Sequence, residues 1–138
     1  MKSLFTASAA LLALAAPALA AGDAAEGEKE FRKCKACHMI QADDGEMIVR
    51  GGRTGPNLYG VIGRTAGSVE DFKYGDSLVA AGEAGLVWDE ENMVPYLEDP
   101  KAFLVEQTGD SGARSLMTFR LRKGGEDVAA YLATFSGE

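Results

Sequence analysis

Apolar residues near the end of the chain recur with the spacing of one helix face. Positions i, i+3, i+4 and i+7 are taken by Val128, Tyr131, Leu132 and Phe135. This pattern predicts an amphipathic helix over about 125–135. Near the start of the chain, the pair of Asp23 and Glu26 is typical of a capping box, which predicts a helix running to about Cys34.

Three more helices are predicted between these two. One spans about 89–98 and ends before Pro100, because the residue preceding a proline avoids helical geometry. In the next, Asp99 is the N-cap and Pro100 the first helical residue. A short helix is expected over Asp76 to Ala81. Since no stretch alternates like a strand and 45–67 is rich in glycine, the predicted fold class is all-α with long loops.

Pro95 conflicts with the helix predicted over 89–98. If the helix begins at Asp89, Pro95 lies deep enough to clash with the carbonyl four residues earlier. If it begins at Asn92, Pro95 falls in the first turn, where proline is tolerated. The sequence leaves a late start and a kink as two open alternatives.

Composition and charge exclude several classes of protein. A chain of 138 residues makes one domain. Its net charge of −7 argues against a nucleic-acid partner, because phosphate neutralisation needs a clustered basic excess. With 2 Cys and 1 His, the chain has too few ligands for a four-ligand Cys/His zinc finger or for a second haem of the same type.

The first twenty residues are predicted to be a cleaved signal peptide. Lys2 supplies a positive start, an apolar stretch spans 4–16, and Ala18–Ala20 has the small-x-small form of a cleavage site. The mature domain is then 21–138, exported to a bacterial periplasm. The alternative is an uncleaved anchor, which the short, alanine-rich stretch argues against.

The strongest motif is Cys34-Lys35-Ala36-Cys37-His38. Two thiols three positions apart can reach both vinyl groups of one haem, and the adjacent imidazole can bind the iron. This spacing is typical of a c-type haem site. The alternatives are a Cys34–Cys37 disulfide, a thioredoxin-like redox motif and a zinc site. The redox motif lacks the βαβ context that it requires, and the zinc site lacks a second cysteine pair.

The sixth position of such an iron has several candidate ligands. Because the single histidine is already used, the candidates are a methionine, a lysine or an open position. Met39 adjoins His38, Met47 lies in a polar loop, and Met93 is most simply a core residue. Met117 follows an irregular Gly/Ser-rich turn, from which a thioether could reach over a ring. From the residues alone, a core-filling role for Met117 remains open.

These motifs together resemble class I cytochromes c, within the bacterial cytochrome c2/c550 group. The resemblance covers 22–135. It rests on Cys34–His38, Thr54–Gly60, Gly63-Arg64, Trp88, Tyr96–Pro100 and Met117–Phe119. It implies the class I fold, with about five helices and long loops around one covalent haem c. It also implies that Gly27 and Phe31 cross the last helix at Val128 and Tyr131.

The resemblance further implies roles for individual residues. Cys34 and Cys37 would be the thioether donors, and His38 and Met117 the axial iron ligands. The carbonyl of Pro56 would accept from the His38 ring. The expected propionate partners are Arg64, Tyr74 and Trp88. Near Met117, the Tyr96 hydroxyl is expected to meet the sulfur, and Ser115 stands where the family often has threonine. Loops 43–53, 77–85 and 105–114 are longer than in the short mitochondrial form, so roles inside them are not carried over.

The function implied is that of a soluble, monomeric electron carrier and not an enzyme. Its expected donor is a cytochrome bc1 complex, and its acceptor a terminal oxidase or a photosynthetic reaction centre. Docking on these membrane complexes would be transient. It would use a basic ring at the haem edge, made of Lys33, Lys35, Arg53, Arg114, Arg120, Arg122 and Lys123. A gas-binding haem protein with an open sixth site is the main alternative. A peroxidase is disfavoured because the single histidine is already used.

Overall fold

The computed structural model describes residues 22–136, so the predicted signal peptide, residues 1–20, lies outside the described residues. Five α-helices and a two-stranded sheet make up the described chain. The helices are α1 (Ala24–Glu30), α2 (Asp76–Glu83), α3 (Glu90–Glu98), α4 (Pro100–Thr108) and α5 (Gly125–Ala133). The strands are β1 (Ile40–Gln41) and β2 (Met47–Val49), which pair antiparallel. The predicted all-α class is confirmed.

Side-chain caps fix where α1, α3 and α4 begin, and the cap of α3 is described with Pro95 below. Asp23 caps α1 by accepting from the backbone N–H groups of Ala25 and Glu26. After Glu30 the chain tightens into a 3₁₀ turn, Phe31–Lys33, so the predicted helix to Cys34 is α-helical only in its first part. At α4, Asp99 accepts from Ala102 and is followed by a proline, as predicted.

The structure resolves the conflict at Pro95 in favour of the early start. The side chains of Asp89 and Asn92 each accept from the other's backbone N–H, which makes a complete capping box and starts α3 at Glu90. Pro95 therefore lies inside the helix, with its side chain exposed to solvent. Its ring removes the hydrogen bond that the Glu91 carbonyl would otherwise receive.

The two short strands were not predicted, since no stretch of the sequence alternates like a strand and 45–67, which contains β2, was expected to be loop-like. Ile40 pairs with Val49 and Gln41 with Met47, and the side chain of Ile40 is fully buried. Strands of two and three residues are too short to show an alternating pattern.

The crossing of α1 and α5 closes the domain. Gly27 packs against α5 so closely that a Cβ built on it would stand 2.8 Å from Cβ of Tyr131 and overlap the carbonyl oxygen of Asp127. The rings of Phe31 and Tyr131 meet with centroids 5.7 Å apart. The crossing that the resemblance implied is present.

Within residues 22–136, no helix is long and apolar enough to cross a membrane.

Candidate functional site

A cavity of about 350 Å³ lies in the middle of the domain. Its walls include large buried side chains from the core, namely Phe31, Leu97, Leu104, Val128 and Leu132. The same cavity is lined by the predicted site residues Cys34, Cys37, His38, Arg64, Tyr74, Trp88, Tyr96, Ser115 and Met117, together with Pro56. The fold therefore brings every predicted site residue to one place.

The cysteine motif continues the chain beyond α1 as a turn. The N–H of Cys34 donates to the carbonyl of Phe31, and the N–H groups of Cys37 and His38 both donate to the carbonyl of Cys34. Because the turn follows directly from the 3₁₀ segment, it places both thiols and the imidazole at one wall of the cavity.

The Cys34 thiol is chemically unlike a redox-active cysteine. Burial is the main cause that raises its pKa to about 11, and the neighbouring Cys37 and Glu30 act in the same direction. Redox-active Cys-x-x-Cys motifs instead lower a thiol pKa, so that the thiolate can attack. Both cysteines are free thiols in the structure, so the alternative of a Cys34–Cys37 disulfide is not formed.

His38 is oriented by one hydrogen bond. Its Nδ1 lies 2.8 Å from the carbonyl oxygen of Pro56, the bond that the resemblance implied. Because a carbonyl can only accept, Nδ1 carries the proton and Nε2 keeps its lone pair for a metal. Burial lowers the pKa of His38, against the opposing effect of the Pro56 carbonyl. The ring is therefore neutral at neutral pH, which is the form that binds metals.

Gly55 fixes the plane of that ring, a role that the sequence motifs did not predict. A Cβ built on Gly55 would stand 2.7 Å from Nδ1 and 2.8 Å from Nε2 of His38. Any side chain here would push the imidazole away from the Pro56 carbonyl. The sequence signal was available, because Gly55 precedes Pro56 within the quoted motif Thr54–Gly60.

Two methionines line the cavity. Met93 projects from α3 and is 4% exposed, as a core residue would be. Met117 lies in the irregular segment between α4 and α5 and is only partly buried. Its backbone carbonyl accepts from the Ser115 hydroxyl at 2.8 Å. Met39 and Met47 are not among the lining residues, whereas the unpredicted Phe72 and Lys73 are.

Four lining side chains, those of Arg64, Tyr74, Trp88 and Tyr96, carry hydrogen-bond donors. The Arg64 guanidinium donates to the carbonyls of Tyr59 and Asn57, at 3.2 and 3.3 Å, and keeps further N–H groups free. Burial lowers the pKa of Arg64, although arginine stays charged at neutral pH. The Tyr74 hydroxyl accepts from the N–H of Val69, which leaves its own proton to donate. Trp88 and Tyr96 pack together with ring centroids 4.7 Å apart.

Tyr96 lies beside Ser115 in the cavity wall. Burial raises the pKa of Tyr96, while the neighbouring Ser115 side chain acts in the opposite direction. Ser115 thus touches both Tyr96 and the carbonyl of Met117, which makes it a link between α3 and the methionine segment.

Comparisons with known proteins agree with this geometry. No protein-family model matches the chain. A cytochrome c-551 from Roseobacter denitrificans is 64% identical over 123 residues, covering 89% of this chain and 88% of its own. A cytochrome c2 from Rhodobacter capsulatus is 61% identical over 132 residues, covering 96% of each. The chain belongs to the bacterial class I cytochromes c.

Solved structures confirm the predicted class I fold for this cytochrome. The structure of ferric cytochrome c-550 from Paracoccus versutus matches with a TM-score of 0.82 at 58% identity, covering 84% of this chain and 99% of that one. The cytochrome c2 structure from Rhodobacter capsulatus matches with a TM-score of 0.81 at 61% identity, covering 82% and 97%. The protein is thus an electron-transfer protein and not an enzyme, and it carries one covalently attached haem c, as predicted.

The residues present fit that group. One wall of the cavity offers two thiols and a neutral, oriented imidazole. The core side chains offer an apolar surface for a flat macrocycle, and Arg64, Tyr74 and Trp88 offer donors for its carboxylates. One cavity therefore has side chains whose chemistry suits covalent attachment, iron binding and carboxylate binding.

Proposed function

We propose that this cytochrome is a soluble, monomeric periplasmic carrier that moves one electron at a time. Its donor would be a cytochrome bc1 complex, and its acceptor a terminal oxidase or a photosynthetic reaction centre. When bound, the haem supplies an iron that alternates between Fe(III) and Fe(II). The names of the relatives, cytochromes c2, c-550 and c-551, support the carrier role. The signal peptide predicted for residues 1–20 supports the periplasmic location.

Cys34 and Cys37 hold the haem covalently in this proposal, and His38 and Met117 bind its iron. The observation that carries the assignment is the 2.8 Å bond from His38 Nδ1 to the Pro56 carbonyl at a cavity that Met117 also lines. That bond orients the imidazole and raises its basicity as a ligand. Met93 is the weaker candidate because it is held inside α3 as part of the core.

Arg64, Tyr74 and Trp88 bind the haem propionates in this proposal. Two carboxylates inside a protein need charge pairing or several donors, because burying an unpaired charge is costly. Arg64 supplies the charge, and Tyr74 has a free proton because its oxygen already accepts from Val69. Among residues 22–136, no protein group accepts from the indole N–H of Trp88, which leaves that donor for a propionate.

The second role of the chain is to control the environment of the iron. The apolar side chains around the cavity exclude water, and a low-polarity environment disfavours the extra charge of the oxidised state. A methionine ligand also favours the reduced iron over the oxidised iron. Tyr96 and Ser115 hold the methionine segment in place. Both effects favour a high reduction potential and little rearrangement on electron transfer.

Docking would occur around the mouth of the cavity. Lys33 and Arg114 of the predicted basic ring line the cavity, and so does Lys73, which the ring did not include. Leu116 and Phe119, in the same segment as Met117, are 74% and 40% exposed. An apolar patch beside positive charges suits brief contact with an acidic partner.

Visible spectra of the oxidised and reduced protein test this proposal. A carrier with Met117 bound should show a haem c spectrum, a far-red band of methionine ligation when ferric, and no carbon monoxide binding when ferrous. Fast carbon monoxide binding by the untreated protein would instead support the gas-binding alternative.

A further inference from the structure

Met117 lies in a segment without regular structure, residues 109–124, between α4 and α5. Two hydrogen bonds donated by backbone N–H groups tie this segment to other elements, one on either side of Met117. The N–H of Arg114 donates to the Ser77 hydroxyl at 2.9 Å, and the N–H of Leu121 donates to the carbonyl of Leu97 at 2.7 Å. The methionine therefore lies between two anchor points seven residues apart in sequence.

The anchor at Leu97 is supported by a second contact. Arg120 pairs with Asp99 at 3.3 Å, next to the bond that Leu121 makes. The other anchor depends on a side chain, the hydroxyl of Ser77. It is therefore the anchor that a point substitution can remove without changing the backbone.

Ser77 is well suited to hold the segment because α2 is itself fixed. Ala81 of α2 is buried, and a Cβ built on Gly82 would overlap the carbonyl oxygen of Ala66. The N–H of Leu86 donates to the carbonyl of Ala81, and the N–H of Ala66 donates to that of Leu86. The helix thus cannot shift toward or away from the core without breaking several contacts.

Two further contacts lie beside the Ser77 bond. Ala113 is 1% exposed, so the residue before Arg114 is enclosed by the core. A Cβ built on Gly75 would stand 3.0 Å from Cγ of Leu116, so the start of α2 lies against the residue before Met117. The segment 113–116 therefore rests on the N-terminal end of α2.

From this arrangement we propose that Ser77 is a positioning residue for Met117, holding the methionine segment through the N–H of Arg114. The inference rests on the proposed role of Met117 as an iron ligand. Without the hydroxyl, the N–H of Arg114 loses its partner and the segment opens more often. One such hydrogen bond contributes about 0.5–1.5 kcal/mol, which corresponds to about a two- to tenfold change in opening. The sulfur remains the ligand, but it leaves the iron more frequently.

Imidazole binding to the ferric holoprotein measures that opening, because imidazole can bind only after the sulfur has left. At saturating imidazole we expect Ser77→Ala to raise the binding rate about two- to tenfold while the far-red band of methionine ligation is retained. Ser77→Thr keeps a hydroxyl and should restore the original rate. Ser77→Val has the shape of threonine without the hydroxyl and should behave like Ser77→Ala.

Ser68→Ala is the matched control, because the Ser68 hydroxyl also bonds a backbone group, the carbonyl of Thr65, in an exposed turn, and Ser68 does not line the cavity. It should leave the rate unchanged. Equal rates in Ser77→Ala and the unaltered protein, or equal rates in the threonine and valine variants, would overturn the proposal. If Met117 were not the ligand, Met117→Ala would leave imidazole binding unchanged, a result that the Ser77 variants cannot produce.

Discussion

Gly27 of α1 packs directly against Tyr131 of α5, because α1 has no side chain at this point. A Cβ built on Gly27 would stand 2.8 Å from Cβ of Tyr131 and overlap the carbonyl of Asp127. Because α5 also contributes Val128 and Leu132 to the cavity wall, this contact sets the position of one side of the haem site.

Gly27→Ala should therefore destabilise the protein, even though alanine is the better helix former. The added methyl group must push α5 away, which costs about 1–3 kcal/mol in the free energy of unfolding. Denaturant unfolding of the holoprotein measures this. Gly112→Ala is the control, since the nearest neighbour of its added Cβ is a side-chain atom, the carboxylate oxygen of Asp110 at 3.2 Å, and not backbone. Equal stability of the two variants would contradict the close-contact explanation.

Pro95→Ala should stabilise the protein. The side chain is exposed, so replacing it leaves no cavity, while alanine restores an N–H for the carbonyl of Glu91. Part of the gain is offset because the unfolded chain becomes more flexible. We expect a rise of about 1–2 kcal/mol in the free energy of unfolding, measured by denaturant titration. A decrease would show that the proline is already accommodated without loss, and Glu98→Ala on the same helix serves as reference.

The helices were predictable because their first residues are determined by neighbouring side chains, such as an N-cap residue and a following proline. Asp99 followed by Pro100 predicted the start of α4 to the residue, since both act within one turn. At Pro95 local rules gave two answers. The structure chose the one in which the capping box of Asp89 and Asn92 is formed. A satisfied helix end outweighed an unfavourable proline on the solvent side.

Features that depend on long-range contact were not predictable from local patterns. The hairpin of β1 and β2 has strands of two and three residues, too short for a period. The Ser77 bond joins residues 37 positions apart. The haem motif was predictable for the opposite reason, because Cys34, Cys37 and His38 are held by one turn. Phe72 and Lys73 reach the same cavity only through the loop that precedes α2.

Protein prevented from attaching haem should lose most of its helix. A cavity of about 350 Å³ inside the core would remain. At about 24 cal/mol per Å³, such a void costs about 8 kcal/mol, which is comparable to the whole stability of a small domain. Circular dichroism of an exported Cys34→Ala/Cys37→Ala variant lacking haem tests this. A cooperative, native-like melt of that variant would contradict the prediction.

Met117→Ala should keep covalent haem but lower the reduction potential. Attachment depends on Cys34, Cys37 and His38, whereas the methionine favours the reduced iron. The emptied position should also bind carbon monoxide in the ferrous protein. Met93→Leu is the matched control among the methionines lining the cavity and should keep the original potential, because leucine fills a similar core volume. A lowered potential in Met93→Leu with none in Met117→Ala would exchange the two assignments.

Positive charge at the cavity mouth should steer the protein toward an acidic partner despite its net charge of −7. Such steering is screened over about 8 Å at physiological salt, so it acts on the rate of encounter. Bimolecular electron transfer with a purified cytochrome bc1 complex should therefore slow as ionic strength rises. At low salt, Arg114→Glu should slow it by about two- to tenfold, because this residue lines the cavity.

Charge reversals at different positions distinguish electrostatic steering from an effect of net charge in the same experiment. Lys123→Glu, in the predicted ring, should slow electron transfer like Arg114→Glu, whereas Lys29→Glu should have a smaller effect at low salt. Lys29 lies on α1, outside the cavity lining, and is paired with Glu26 at 2.7 Å. All three substitutions change the net charge equally, so equal slowing would mean that net charge alone controls the rate. A rate that rises with salt would show that the docking face is not positive. Either result would rule out docking through the basic ring and would leave the haem site as described.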